Sequence, residues 1–320
     1  MKESKEIKVS IAVPVFNEQG NLNSFVECLL SQTIQPEEII FCDGGSTDET
    51  VSILRNYQKE FPTIKLVKRE GLCRGSGRNS AIEASKNDFV ALVDAGNLPE
   101  INWLELLVEE IVRSPEIEVV YGAVKPQQDN SITKSLSSFI LGKRDHDQLL
   151  DRSVASMLIK KEVWIKAGKF PESNDGSYIV EDLRFLDNLE GIEPNSKTKK
   201  IAFTNWKLPY TYFAIYKRFY NLTLGANKNG YTKLLIQGIF RNYLICFLLL
   251  FSSIIINKYL FFLIPSFLLL RVYSYHKFNN WFHESNLLMK LLHLSKGLIV
   301  FSVIDLASIN SFITSRLKNE

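Results

Sequence analysis

Histidine, methionine and tryptophan are scarce in this 320-residue chain, at four, three and four residues, and cysteine also numbers only four. Cys28, Cys42, Cys73 and Cys246 stand far apart with no Cys-x-x-Cys pair. That spacing argues against a zinc site or a disulfide framework and fits a reducing compartment. A surplus of one charge sign is missing as well. Lys plus Arg is 38 against 35 for Asp plus Glu, a net of +3, which gives no sign of a nucleic-acid binder. The charged opening Met1–Lys8 has no apolar h-region, so the expectation is no signal peptide and a cytosolic body. With 46% hydrophobic and 23% charged residues, the composition excludes disorder and fibrous repeats. The length allows about two domains.

What is present is unevenly spread. From Arg241 to Glu320 there are 8 basic and 3 acidic residues, leaving 30 basic against 32 acidic before them. A slightly acidic body therefore carries a basic, apolar tail, the pattern of a domain tied to a membrane. The expected division is 1–238 and 239–320.

Through the first 125 residues two periodicities alternate. Val9–Val15, Glu38–Cys42, Ile64–Val67, Phe89–Val93 and Glu118–Val124 read as strands. Helical spacing marks Leu22–Leu30, Asp48–Glu60, Asn79–Lys86 and Ile101–Arg113. Alternation of this length predicts an α/β fold, an open and mostly parallel sheet with helices on both faces. Further on, Ser131–Leu150 reads as helix, Ser153–Lys160 as strand, Lys161–Gly168 and Ile179–Leu189 as helices, and Lys200–Phe213 as extended. In such sheets ligands bind at the carboxyl ends of the strands. The residues there are Asn17-Glu18, Asp43-Gly-Gly-Ser-Thr-Asp48, Arg69–Asn79 and Asp94-Ala-Gly-Asn97.

Each of these supports two readings. Asp43 is placed to accept a base-edge N–H, or Ser46 and Thr47 simply cap the helix that follows. Arg74 and Arg78, among Gly71, Gly75 and Gly77, suit a diphosphate or form a solvated loop. Gly75-Ser-Gly77 also half-matches a dinucleotide fingerprint but lacks its third small residue. Asp94 suits a ribose hydroxyl, a phosphate-bound metal or a turn. Asp182, after Glu181, is a general base for a hydroxyl or an N-cap.

The tail contains no charge over Leu244–Ile256 or Tyr259–Leu270, with only Asn257-Lys258 between them. One helix over Tyr243–Tyr275 would run roughly 50 Å, too long for a hydrocarbon core of about 30 Å. A membrane hairpin turning at Asn257-Lys258 is therefore expected, with Arg241 and Arg271 snorkelling to one interface; a buried core hairpin is the alternative. A third stretch, Gly297–Ile313, carries Asp305 near its centre. A mid-membrane carboxylate costs about 2.5–3.5 kcal/mol, which points to a re-entrant, interfacial or bundle-facing segment.

Taken in order, Val13-Pro-Val-Phe-Asn-Glu18, Asp43-Gly-Gly-Ser-Thr-Asp48, Gly77-Arg-Asn79, Asp94-Ala-Gly96, Ala155–Phe170 and Glu181-Asp182 resemble the family 2 glycosyltransferases, inverting enzymes of the GT-A fold. The resemblance covers roughly residues 8–230. It implies that Pro14, Glu18 and Asp43 line a nucleoside pocket, with Ser46 and Asp48 nearby. It makes Asp94 the first acid of an Asp-x-Asp element that seats Mg²⁺ or Mn²⁺, and Asp182 the catalytic base. Gly96 stands where the second acid is usual, so part of the diphosphate's charge would fall to Arg74, Arg78 or Arg218. The Gln-x-x-Arg-Trp element of processive polymerases is absent, with Tyr216-Lys-Arg-Phe-Tyr220 in that region. The implied partners are a nucleoside-diphosphate sugar, a lipid-linked or envelope glycan acceptor and membrane lipid, at the cytoplasmic membrane face. Two alternatives stand beside this reading: a catalytically degraded nucleotide-sugar-binding scaffold, and a dinucleotide-dependent oxidoreductase resting on Gly75-Ser-Gly77.

Overall fold

The computed structural model describes residues 7–69, 73–142, 149–172, 180–228, 232–256, 259, 262–277, 279, 282–283 and 285–317. The strands are β1 (Val9–Val15), β2 (Glu38–Asp43), β3 (Ile64–Lys68), β4 (Phe89–Val93), β5 (Asn97–Pro99), β6 (Val119–Pro126), β7 (Leu150–Asp151), β8 (Ser156–Lys160) and β9 (Ser196–Trp206). The helices are α1 (Leu22–Leu30), α2 (Thr50–Glu60), α3 (Arg74–Ala84), α4 (Trp103–Arg113), α5 (Ser131–Leu141), α6 (Lys161–Lys166), α7 (Glu181–Gly191), α8 (Tyr212–Lys228), α9 (Thr232–Ile255), α10 (Leu263–His276) and α11 (Leu287–Leu317). By internal contacts the chain divides into two compact units. The first is Met1–Lys125 with Leu149–Lys207, and the second is Pro126–Gln148 with Leu208–Glu320.

In the first unit one sheet runs in the order β3-β2-β1-β4-β8-β6-β9-β5, with β7 beside β6. Strands β3, β2, β1 and β4 are parallel neighbours. The turn into β8 reverses direction, and β8 is antiparallel to both β4 and β6. The β-branched run of β1 is buried along nearly its whole length, as a central strand covered on both faces requires. Its alternate side chains feed two cores. Ile11, Val13 and Val15 pack with Leu22, Phe25, Leu29, Phe41 and Trp103. Ala12, with Ile40 and Cys42, packs with Ala81, Ile82, Trp164 and Phe185. The mixed α/β sheet with helices on both faces is thus the architecture expected. The carboxyl ends of β1, β2 and β4 lie side by side.

Three boundaries differ from the sequence reading in ways that matter. Helix α3 begins at Arg74, five residues before the expected Asn79. The extended segment ends at Trp206, and α8 begins at Tyr212. Helix α5 ends at Leu141, where Gly142 takes a φ of +66°. The charged cluster Lys143–Asp147, the glycine Gly71 and the residue Ile179 lie outside the described residues.

The second unit is helical. Long helix α11 packs on α8 and α5, so its partners include helices well before residue 238; the division at 238 followed hydropathy, whereas the compact unit follows packing. Phe139, Phe219, Tyr275 and Phe301 form an aromatic cluster at its centre. Asp305 is buried and forms a bidentate ion pair with Arg271, at 2.5 and 2.9 Å. The snorkelling expected of Arg271 is therefore replaced by a buried pairing, and Asp305 faces the bundle, one of the placements expected for Gly297–Ile313. Among the described residues α11 is the one helix long and apolar enough to cross a membrane, and a shorter apolar helix covers Ile239–Ser252. The expected turn at Asn257-Lys258 lies outside the described residues. Large apolar side chains are exposed along α9, α10 and α11, among them Phe247, Phe251, Leu270, Leu288 and Leu291.

The approach of β6 to its neighbours depends on Gly122. A Cβ there would collide with Ser156 Oγ and the Ala202 carbonyl oxygen. Overpacking of this kind costs about 1–3 kcal/mol. Gly122→Ala is expected to lower the melting temperature by several degrees, and an unchanged melt would show that the sheet opens there without cost.

Candidate active site

The strand-end loops are knitted together by their own polar groups. Beyond β1, Asn17 takes a φ of +54°, and its side-chain oxygen accepts from Thr47 N at 2.8 Å. In return Ser46 Oγ accepts from Asn17 N at 2.9 Å, Thr50 Oγ1 from Glu18 N at 2.8 Å, and Asp48 Oδ2 from Gln19 N at 3.1 Å. Asp43 is fully buried at the end of β2, and its carboxylate accepts from Gly45 N at 3.1 Å and Ser46 N at 3.2 Å. Asp43 thus holds the shape of its own loop, and Ser46 and Asp48 tie that loop to the β1 loop; the expected cap by Ser46 or Thr47 is not made, since α2 has Glu49 at its N-cap and no side-chain cap bond.

Helix α3 approaches its neighbours closely on two sides, at each of which it carries a glycine. A Cβ on Gly77 would stand 3.3 Å from Pro14 Cβ, and one on Gly75 would stand 2.5 Å from the Pro171 carbonyl oxygen and 3.2 Å from Glu181 Cβ. Glycine is a poor helix former, yet here close packing decides, and Gly75 and Gly77 sit inside the helix. They are not a strand-to-helix turn, so the dinucleotide fingerprint has no support in the fold. One helical turn apart, Arg74 and Arg78 project from the same face.

Arg78 joins residues that lie far apart in sequence. Its guanidinium is 1% exposed and donates from Nη1 to Asp182 at 2.5 Å and from Nη2 to Asp94 at 2.6 Å. Glu181 Oε1 lies 3.5 Å from Nη1, and Arg74 Nη1 lies 4.0 Å from Asp94 Oδ2. Phe170 packs beneath, 5.2 Å from the guanidinium carbon and stacked on Phe185 at 4.0 Å. Asn79 fixes the segment that carries Phe170: its Oδ1 accepts from Phe170 N at 3.0 Å and its Nδ2 donates to Phe170 O at 2.9 Å. The sequence marks Asn79 only as part of a motif; this bracketing becomes visible once the two segments meet.

Burial disfavours the charge on Arg78, but Asp182, Asp94 and Glu181 together overcome it and raise its pKa. Burial, with the charge of Asp182 beside it, pushes Glu181 up to about 6 against the pull of Arg78. Burial also lifts Glu18 above the usual carboxylate range, and the charges of Asp48 and Asp94 add to that. Of the two neighbouring acids on α7, Glu181 is 10% exposed and Asp182 36%, so Asp182 is the one an incoming group can reach.

All the expected site residues except Arg218 therefore fall on adjoining loops and helix ends of the first unit. Arg218 lies on α8 of the second unit, as does the Tyr216–Tyr220 segment. An open cleft of about 720 Å³ on the α1–α2 side, lined by Glu27, Ile53, Tyr57 and Phe61, contains none of them. No group of three or more His, Cys, Asp or Glu side chains able to hold a metal occurs among the described residues. Mg²⁺ commonly needs only one or two carboxylates when substrate phosphates complete its shell, and the Asp94 carboxylate fits that lesser demand.

Residues 10–168 match the family described as Glycosyl transferase family 2. The chain is 26% identical over 230 residues to the GalNAc(5)-diNAcBac-PP-undecaprenol beta-1,3-glucosyltransferase of Campylobacter jejuni, covering 70% of each chain. It is 28% identical over 138 residues to the poly(ribitol-phosphate) beta-glucosyltransferase of Bacillus spizizenii, covering 41% of this chain and 21% of that relative. With the chondroitin synthase of Escherichia coli it shares 29% over 113 residues, 35% of this chain and 16% of the relative. The chain thus spans well under a third of the length of these last two. Among solved structures, the mannosyltransferase PcManGT of Pyrobaculum calidifontis, in complex with GDP-Man and Mn²⁺, aligns with a TM-score of 0.56 at 15% identity, covering 99% of this chain and 89% of that one. S. aureus TarS 1-349, in complex with UDP-GlcNAc, gives 0.51 at 17% identity, covering 68% and 66%. At such identities the likeness establishes the fold.

A raised carboxyl in the folded state means that folded protein holds a proton the unfolded chain has released. Stability from Glu181 is therefore complete below about pH 4.5 and is lost as pH rises through about 6. Glu181→Gln is expected to gain melting temperature relative to the parent between pH 4.5 and 6.5. A difference that stays flat with pH would show that Glu181 does not titrate in this range.

Proposed function

The chain carries a glycosyltransferase family 2 domain, and from that premise we propose that it moves a sugar, with inversion, from a nucleoside-diphosphate donor to a lipid-linked or envelope glycan hydroxyl at the cytoplasmic face of a membrane. The observation that carries the proposal is the single buried Arg78 that gathers Asp94 and Asp182. These are the residues expected at the donor's phosphate end and at the acceptor's hydroxyl.

Inversion follows from a single in-line displacement. The acceptor oxygen forms a bond to the anomeric carbon as the bond from that carbon to the diphosphate oxygen breaks, its electron pair leaving with the diphosphate. The acceptor's proton passes to Asp182. Arg78 holds that carboxylate in place from the inside while its outer edge stays accessible. Pro14, Asp43, Ser46 and Asp48 shape the place for the nucleoside, and Arg74, more than half exposed, faces the diphosphate. A divalent cation held by Asp94 with the phosphates would supply further neutralisation of the leaving group.

The acceptor class is supported by the Campylobacter relative, whose name specifies an undecaprenol-linked substrate. Membrane association is supported by α11 and by the exposed apolar side chains of α9 to α11, the area expected of a lipid-facing surface. With Tyr216–Tyr220 in place of the polymerase element, transfer of one residue at a time is favoured.

Asp182→Asn tests the base. Asp94 and Glu181 remain to hold Arg78, so the fold should survive. General-base removal should lower turnover by roughly 10²–10⁴, read as nucleoside-diphosphate release over a panel of nucleotide sugars with lipid-linked acceptors. Donor affinity should stay within about threefold, since the base acts on the acceptor. Near-parental turnover would refute the assignment.

A further inference from the structure

The turn after β4 holds a carboxylate that its own sequence does not supply. Gly96 has a φ of +87°, and a Cβ built there would stand 3.6 Å from Glu18 Oε2 and 4.0 Å from Oε1. The Glu18 carboxylate, arriving from the β1 loop, thus occupies the space in front of the residue two places after Asp94. The backbone that carries it is fixed from behind. The Glu18 amide donates to Thr50 Oγ1 at 2.8 Å, and its backbone oxygen accepts from Asn21 N and Leu22 N at 3.0 Å each.

Charge in this region is out of balance. Arg74 and Arg78 already face Asp94, Glu181 and Asp182, and Glu18 and Asp48 add to the negative side, each acting on the other. A diphosphate entering here meets no surplus of positive charge from these residues. A site that carries excess carboxylate is suited to an anion that arrives with its own cation.

We propose that Glu18 substitutes for the acid missing at position 96, and that Glu18 and Asp94 are the two protein ligands of a divalent cation bound with the donor's diphosphate. The inference rests on the function proposed above and reassigns Glu18 from the nucleoside to the phosphate end. Two carboxylates with phosphate oxygens and water complete an oxygen shell of the kind Mg²⁺ and Mn²⁺ prefer. Glycine at 96 gives the turn its φ of +87° and leaves the Glu18 carboxylate within ordinary contact of that position.

The test is Mn²⁺ binding to the full chain, followed by electron paramagnetic resonance with UDP or GDP saturating. Glu18→Gln should weaken Mn²⁺ by about tenfold or more, the scale on which even outer-shell partners of a metal act. Asp94→Asn should do the same, and Glu18→Asp should recover part of the loss. Affinity for UMP or GMP without metal should be unchanged in Glu18→Gln, because the nucleoside does not touch Glu18, and an unchanged melt shows that the variant is folded. Unaltered Mn²⁺ affinity in Glu18→Gln would overturn the proposal, as would an equal loss of monophosphate affinity. Donor turnover indifferent to a chelator would overturn it while leaving the transferase reading intact. Failure of both UDP and GDP to bind, with or without Mn²⁺, would remove the transferase reading and this inference together.

Discussion

A buried guanidinium is the constraint around which the strand-end cluster of the first unit is arranged. Arg78 cannot be desolvated without partners, and its partners come from the turn after β4 and from the start of α7. The arginine thereby ties the positions of Asp94 and Asp182 to the stability of the fold. Two glycines make it feasible. Without side chains at 75 and 77, α3 lies against Pro14 and Glu181 closely enough for Arg78 to reach both acids.

The same cluster divides labour among its carboxylates by exposure. Glu181 is enclosed and pushed up to about 6; it serves as a partner to Arg78 more than as a reactive group. Asp182, one residue on, has the more open position and so is suited to meet an acceptor. The second unit uses the identical pairing for a different end. Arg271 and Asp305 satisfy one another inside a helical bundle, which lets a 31-residue apolar helix carry a carboxylate.

Much of this was legible in sequence wherever the signal is local. The β-branched runs gave β1, β2 and β4 within a residue or two, strand-end polarity marked Glu18, Asp43 and Asp94, and an expected helix start marked Asp182. The losses came where tertiary packing overrides a local rule. Gly75 and Gly77 read as loop because glycine is a weak helix former, whereas contact with Pro14 and Glu181 favours a helix from Arg74. Asp305 read as a fault in a membrane segment because its partner lies 34 positions away. Nothing in the spacing of Arg78 and Asp182, 104 residues apart, announces that they touch, and the absence of an acid at 96 conceals the carboxylate that stands before it.

The most direct measurement is a structure of the full chain with UDP or GDP bound. The diphosphate should lie against Arg74 and Asp94, with Arg78 still bonded to Asp94 and Asp182 and the nucleoside reaching toward the loop of Asp43. A nucleotide lodged elsewhere, such as the cleft on the α1–α2 side, with the Arg78 cluster untouched, would contradict the assignment of this cluster as the place where the sugar is transferred.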